Sequence, residues 1–509
     1  DLGRLKEAVA SCNKALILNP NLAQAHSNLG LAQQELEQPD QAVASYHKAI
    51  DIKPEFADAH NNLGNAFKEL GKLDEAITSY HKSLAIKPDY SEAHSNLLFC
   101  LHYHPDMDAP RLKQEHLRWW ETHGKCLPTL KPYDDLDLTL DRPLRVGMIS
   151  PDFGHHPVGY LTIKLLENSN HQDVQFFCYC DRIISDNYTK RFAKAANQWA
   201  KTYGLSDLDL ANKIKEDRID ILFDLAGHTA QNRLIMFSRK PAPIQISWLG
   251  YMGTTGLATM DYILADRFQI PQGAERYYTE TVLRMPHSSW CYDMPADVLP
   301  VGPLPSKTNG YVTFGCFNNP AKINSRTLES WCDILGLIPN SKIVLKYRSM
   351  NSGYNKERIN AAFQNHDIDK SRIILEGQSS YKEYLARYNA IDIALDTSPF
   401  SGGVTTCEAL WMGVPVVTFP GQTLAGRLTL SHLKVIGLEN TIADTFSGYS
   451  DIAVSLSRDL DALGRIRAGL RDQMESSPLC DGQGFAGAFY DLIRKVWASY
   501  VEKAVGTST

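Results

Sequence analysis

An α-solenoid followed by an α/β region of two Rossmann-like halves is the fold this sequence predicts. Three observations carry it. Residues 1–104 repeat with a 34-residue period. From residue 144 onward, short apolar runs alternate with helical patterns. Residues 391–423, IDIALDTSPFSGGVTTCEALWMGVPVVTFPGQT, read as strand, glycine-bearing loop, helix and strand.

Length and composition bound the answer. A chain of 509 residues holds about two to four domains. Its apolar content of 43% and charged content of 22% are ordinary for a globular protein. A net charge of −6 gives no basic field, so nucleic acid is not an expected partner. The ten cysteines include no CxxC pair, which suits reduced core thiols and a cytoplasmic location better than disulfides or zinc. No apolar run reaches the roughly 18 residues of a membrane helix, so no membrane partner is expected. The chain opens inside a repeat and without Met, so further repeats are expected upstream.

The repeat comes first. Pro20, Pro54 and Pro88 lie 34 apart, as do Asn28, Asn62 and Asn96, and Ala8, Ala42 and Ala76. Small residues at helix crossings, with Pro closing each second helix, are the tetratricopeptide pattern. Such solenoids offer a concave groove to an extended peptide. Asn28, Asn62 and Asn96 are read in two ways: as helix-packing residues, or as a ladder of amides bonding a peptide backbone. Residues 105–142 are expected as a helical linker. Trp119 and Trp120 are its core, and the polar stretch 126–142 is its tail.

Residues 143–305 read as the first α/β half. LRVGMIS (144–150) is a strand, 151–157 (PDFGHHP) a loop, and 158–167 a helix. Further strands are expected at 174–180, 219–225, 244–249, 262–265 and 281–285. Residues 306–509 form the second half, with strands at 312–316, 342–347, 372–375, 391–395 and 414–419 and helices over 450–501. Ligands of such sheets lie beyond the strand C-termini, and a cleft between the halves is expected.

The strand-end loops hold the candidates. Gly402 and Gly403 precede Thr405 and Thr406, which are N-cap candidates for a helix running to about residue 412. Unpaired amides and the helix dipole favour a phosphate there, against the reading of an ordinary turn that binds nothing. His155 and His156 end the first strand. His156 is the candidate base or partner of a sugar hydroxyl, while either histidine also suits packing or capping. Asp224, Gly227 and His228 end another strand at the expected cleft edge. The glycine-dense loop 248–256 either lines the acceptor side or only connects. Lys322, just past a strand of the second half, is placed to neutralise a leaving diphosphate, or else is a solvated lysine.

RVGMISPDFGHHP, KPAPIQISWLGYMGTTG, MDYILAD, CFNNPAKI, LDTSPFSGGVTTCEALWMGVPVVT and GQTLAGR together resemble family 41 glycosyltransferases over essentially the whole chain. These are the protein O-GlcNAc transferases and the plant SPINDLY-type O-fucosyltransferases. The resemblance implies a GT-B fold. It also implies an inverting, metal-independent transfer of a sugar from a nucleotide diphosphate to Ser or Thr hydroxyls, with protein or peptide acceptors in the repeat groove and no cofactor. It places the active-site His on His156, the diphosphate Lys on Lys322, an amide residue on Asn319 and a phosphate-contacting Thr on Thr405. The ribose-holding acid falls on Glu408, and the base pocket on 381–387 with Arg387.

The departures bear on the donor. Gly403 and Val404 replace a His and its neighbour in the animal enzymes, and Tyr381 and Tyr384 replace a Lys and a His. Glu408, Gly403 and Val404 lean toward the SPINDLY branch and GDP-fucose. Arg387 and the two tyrosines lean toward bacterial UDP-sugar enzymes. The base pocket distinguishes a pyrimidine from guanine, so UDP-GlcNAc is the expected donor and GDP-fucose the alternative. His156, a donor phosphate oxygen and Asp224 all remain readings for the proton acceptor. The missing His at Gly403 motivates a third reading, a catalytically weak binding scaffold. A small-acceptor enzyme of the same fold fits poorly with a long peptide groove.

Overall fold

Parallel strands buried on both faces read as continuous apolar runs, and those runs build two separate sheets. The computed structural model describes residues 2–130, 133, 136–294 and 299–506. Residues 131, 132, 134 and 135 of the expected linker, and 295–298 near the expected boundary of the halves, lie outside the described residues. The chain divides into two units that are discontinuous in sequence. One comprises Asp1–Met107, Val298–Leu433 and Leu438–Arg471, the other Asp108–Asp297, Lys434–Gly437 and Asp472–Thr509. The expected second half over 306–509 is thus divided, since its last helix belongs with 108–297.

The 108–297 unit holds strands β1 (Leu144–Ser150), β2 (Val174–Cys180), β3 (Gln198–Lys201), β4 (Ile221–Asp224), β5 (Ile244–Trp248), β6 (Tyr262–Asp266) and β7 (Thr281–Met285). Their order is β3-β2-β1-β4-β5-β6-β7, and every pairing is parallel. β1 pairs with both β2 and β4, so the strand order reverses there. The helix Gly482–Gly506 lays Phe485 and Phe489 on Trp248, with Phe489 also against Phe223. The expected continuous helical stretch after residue 97 breaks at 102–108 and restarts at Ala109–Trp119. Asp108 caps the new helix by accepting from the Arg111 amide at 2.9 Å. Trp119 is fully buried as expected, whereas Trp120 is only half-buried.

The other unit joins the repeats to the second sheet: β8 (Thr313–Cys316), β9 (Lys342–Lys346), β10 (Ile373–Glu376), β11 (Ile393–Leu395) and β12 (Val416–Val417). They lie in parallel in the order β10-β9-β8-β11-β12. Their apolar side chains share one core with Trp331, Leu335, Phe363 and Tyr449. Here the order reverses between β8 and β11.

In the repeats, Gly30 and Gly64 let tyrosine rings close on the backbone. A Cβ at either would lie 2.6 Å from Tyr46 or Tyr80. His26 and His60 donate from Nε2 to the carbonyls of Pro20 and Pro54 at 3.0 and 2.9 Å, tying each helix to the proline that closes the one before. The asparagine period does not produce three equivalent positions. Asn28 is exposed and accepts from Gln24, Asn62 is half-buried, and Asn96 is buried and donates to Asn61 Oδ1 at 3.0 Å. A uniform ladder is therefore absent, because the amide of Asn96 is satisfied inside the solenoid.

The repeat turns also pack on the second sheet's loops. Arg348 pairs with Glu69 at 2.7 Å, Asp40 accepts from the Gly353 amide at 2.9 Å, and Lys72 Nζ lies 4.1 Å from the centre of the Tyr354 ring.

Candidate active site

In a doubly wound sheet the crevice for ligands opens where strand order reverses, beyond the strand C-termini. In the repeat-bearing unit this point lies past β8 and β11, where a buried carboxylate organises both loops. Asp396 Oδ1 accepts from the amides of Thr397 (2.8 Å) and Gly402 (2.7 Å) and from Asn318 Nδ2 (3.2 Å), and Oδ2 accepts from Thr418 Oγ1 (2.7 Å). Burial raises its pKa, opposed by the Thr418 and Thr429 hydroxyls and the Gly402 and Thr397 amides. Thr405 Oγ1 donates to Asn318 Oδ1 at 2.6 Å. Asn318 therefore bridges the two loops. The neighbouring Asn319 instead caps the short turn Pro320–Lys322 by accepting from the Ala321 amide.

Lys322 is half-buried there. Its Nζ donates to the Ser401 carbonyl at 2.7 Å and lies 4.1 Å from the centre of the Phe400 ring. Burial lowers its pKa to about 8, opposed by Asp396 and Cys316. It is a desolvated cation rather than a solvated one.

The helix behind the glycine loop runs Val404–Trp411 with Gly403 as N-cap. This corrects the expected Thr405 and Thr406 caps. Both threonines lie inside the first turn, because Asp396 holds the Gly402 amide and sets the chain's entry into the helix. Thr406 is buried against Thr429 at 2.8 Å, and Thr429 donates to the Gly402 carbonyl at 3.0 Å. Thr406 thus braces the loop and Thr405 faces Asn318. A Cβ at Gly402 would lie 2.4 Å from Thr406 Oγ1, so the loop closes only on glycine.

Beside it, Tyr384 donates to buried Glu408 at 3.0 Å. Burial raises Glu408 to about 7, with the tyrosine hydroxyls opposing the rise. The rings of Tyr384 and Tyr388 pack on Phe317, and the Tyr388 hydroxyl donates to the Thr405 carbonyl at 3.2 Å. Arg387, expected in the base pocket, is engaged by Glu376 at 2.8 Å.

In the other unit, the strand order reverses between β1 and β4. His156 ends the loop after β1 and caps the helix Pro157–Glu167, its Nδ1 accepting from the Val158 amide at 3.3 Å. Burial lowers its pKa, opposed by Asp152. With Nδ1 accepting, the neutral ring carries its proton on Nε2. The half-exposed imidazole therefore offers a donor to a ligand. The loop is fixed from behind by Asp186, which accepts from the His155 amide at 2.8 Å.

Two cleft candidates are corrected. Asp224 is buried, and its oxygens accept from the Ala226 and Gly227 amides at 3.0–3.1 Å. Burial pushes it up to about 6, opposed by those amides. The carboxylate turns its own loop and is enclosed. His228 is fully buried. Its Nε2 donates to the Thr255 carbonyl at 2.8 Å, and its ring packs on His116, Trp119 and Tyr251. Asp224 ends β4 and His228 lies in the turn that follows, and both side chains turn inward. The loop 248–256 is a tight connection, its Thr254 and Thr255 hydroxyls held by buried Glu280. Sequence reasoning missed Asn318 and Asp396 as the joint of the site. The one available signal was an acid ending a strand just before a glycine loop.

The repeats and the two α/β regions match known proteins. The model for glycosyl transferase family 41 matches residues 128–297 and 304–489, and tetratricopeptide models match 1–37, 35–71 and 57–90. A tomato (Solanum lycopersicum) protein named a probable UDP-N-acetylglucosamine–peptide N-acetylglucosaminyltransferase SPINDLY is 34% identical over 410 residues, covering 80% of this chain and 44% of that protein. The Arabidopsis thaliana protein of the same type named SEC is 30% identical over 365 residues, covering 70% of this chain and 37% of that protein. The chain thus spans less than half the length of these curated relatives. A structure of an O-GlcNAc transferase mutant from Thermobaculum terrenum superposes with a TM-score of 0.93 at 33% identity, covering 99% of this chain and 96% of that one. A family model matched across both sheets, on top of a repeat that folds as its period requires, places this chain in glycosyl transferase family 41.

Proposed function

We propose that this chain is a protein O-glycosyltransferase that moves GlcNAc from UDP-GlcNAc to Ser or Thr hydroxyls, with inversion and without a metal. The observation that carries the reading is the pairing of Lys322 with the N-terminus of the helix Val404–Trp411, both at the reversal point between β8 and β11. A desolvated cation and a helix N-terminus stabilise charge growing on a leaving diphosphate, the task a metal performs elsewhere. Glu408 and Tyr384 suit the ribose, and the rings of Tyr381 and Tyr384 a flat base. His156, with Nε2 as donor, suits an oxygen of the sugar. Because Asp224 is enclosed, the proton acceptor in this reading is a donor phosphate oxygen. The repeats supply the acceptor by positioning an extended segment. The names of the SPINDLY, SEC and Thermobaculum relatives, all of which specify N-acetylglucosamine transfer, support the choice of sugar.

Titration of UDP and GDP against the purified chain tests the donor. Tighter UDP binding is expected. GDP binding at least tenfold tighter, a gap of about 1.4 kcal/mol, would replace the reading with protein O-fucosylation from GDP-fucose. Absence of donor hydrolysis and of transfer with either sugar would leave the binding scaffold.

A further inference from the structure

Lys322 is held by contacts that do not come from its own loop alone. Its Nζ lies over Phe400 and donates to Ser401, the next residue. The Phe400 ring in turn lies against the end of the solenoid. Tyr103 stacks on it with centroids 4.9 Å apart and planes 19° apart, and Phe99 meets it edge-on at 6.4 Å. Tyr103 and Phe400 are both 5% exposed. The turn that carries Lys322 is backed by the solenoid as well, since a Cβ on Gly71 would stand 3.1 Å from the Pro320 carbonyl. Repeat residues therefore stand behind both the turn bearing the cation and the ring beneath it.

We propose that Tyr103, two residues past the helix Ser91–Leu101, is a positioning residue for Lys322 that acts through the ring of Phe400. The inference rests on the transferase reading for its catalytic consequence, but the placement of the lysine is measurable without it. A lysine reaches its site on a flexible four-carbon stem. A ring beneath its ammonium restricts both where the cation sits and how much water reaches it. Phe400 keeps its tilt only while a flat ring stacks behind it. Methionine at 103 fills a similar volume without supplying a plane.

The test is competitive labelling of Lys322 with trace acetic anhydride across pH, read by mass spectrometry, in the full chain without donor or acceptor. The wild-type midpoint is expected below that of an ordinary lysine. Tyr103→Met is expected to move it up toward the ordinary value, and Tyr103→Phe to keep it. Phe400→Leu is expected to move it as Tyr103→Met does, and the double variant no further than Phe400→Leu alone. Turnover of Tyr103→Met is expected to fall about tenfold, as for a misplaced catalytic group. A folded Tyr103→Met with an unshifted midpoint overturns the proposal, as do additive shifts in the double variant. Should Tyr103→Met not fold, an unshifted midpoint in Phe400→Leu overturns it independently. The expected shifts in a chain that transfers no sugar would uphold the positioning and overturn the transferase reading alone.

Discussion

Lys322 and Glu408 set opposite limits on the proposed donor site. Burial holds Lys322 near 8, so its positive charge is lost as pH rises through about 8. Burial holds Glu408 near 7, so its negative charge is lost as pH falls through about 7. A diphosphate needs the charged lysine, and a ribose hydroxyl donates better to a carboxylate than to a carboxylic acid. Affinity for a nucleotide sugar, whose diphosphate has no secondary ionisation in this range, is therefore expected to peak between about pH 7 and 8. Isothermal titration calorimetry across pH checks this. Lys322→Ala should remove the alkaline limb and Glu408→Gln the acid limb, and a flat profile in the wild type would discard both assignments. Turnover in Lys322→Ala should fall about 10²–10³-fold, the usual cost of removing one donor that stabilises charge in the transition state. The melting temperature should barely move, since the side chain that is removed donates to a loop carbonyl.

At the scale of elements, the repeats are structural partners of the second sheet as well as the acceptor groove proposed above. Deleting 1–96 removes Asp40, Glu69 and Lys72 from the loops after β9 and strips Gly71 from the turn that holds Lys322. That truncation is expected to lower the melting temperature, by about 2–4 °C for each kcal/mol lost in a protein domain of this size. A shorter deletion, 1–35, keeps all these contacts and should leave the transition of the sheet in place. Differential scanning calorimetry separates the two, and equal transitions would show that the packing carries no stability. The repeats and most strands were legible because each has its own arithmetic: a 34-residue period, and runs such as LRVGMIS whose every second residue need not be polar. β3 was not, because QWAK is a short edge strand with exposed ends. The position of Asp224 at a strand end was legible, while His228 lies in the turn beyond it. The inward turn of the His228 side chain was not legible, because it is set by Thr255, Trp119 and Tyr251, elsewhere in the chain. The Asn318–Asp396 joint was hidden for the same reason, since its partners are 78 residues apart. The place of Lys322 just past a strand of the second half was legible, whereas its bond to the Ser401 carbonyl, 79 residues on, was not.

Across the whole molecule, the two units carry different parts of the proposed chemistry. The residues suited to the nucleotide, from Asn318 to Glu408, belong to the repeat-bearing unit, and His156 belongs to the other. Perturbing each unit should therefore separate binding from turnover. Testing His156 by alanine would confuse the two, since its Nδ1 caps the helix Pro157–Glu167 and loss of a cap costs about 1 kcal/mol. Asparagine is the better probe, because it is a strong N-cap in its own right and keeps the helix start while removing the imidazole Nε2 donor. His156→Asn is expected to bind UDP with wild-type affinity and to lose about 10²-fold or more in turnover, the range for a group that assists proton transfer or donates a hydrogen bond in the transition state. Direct titration with UDP and a single-turnover transfer assay give the two numbers. If UDP affinity falls in step with turnover while the melting curve is unchanged, His156 contacts the nucleotide itself, and the division of labour between the units is wrong.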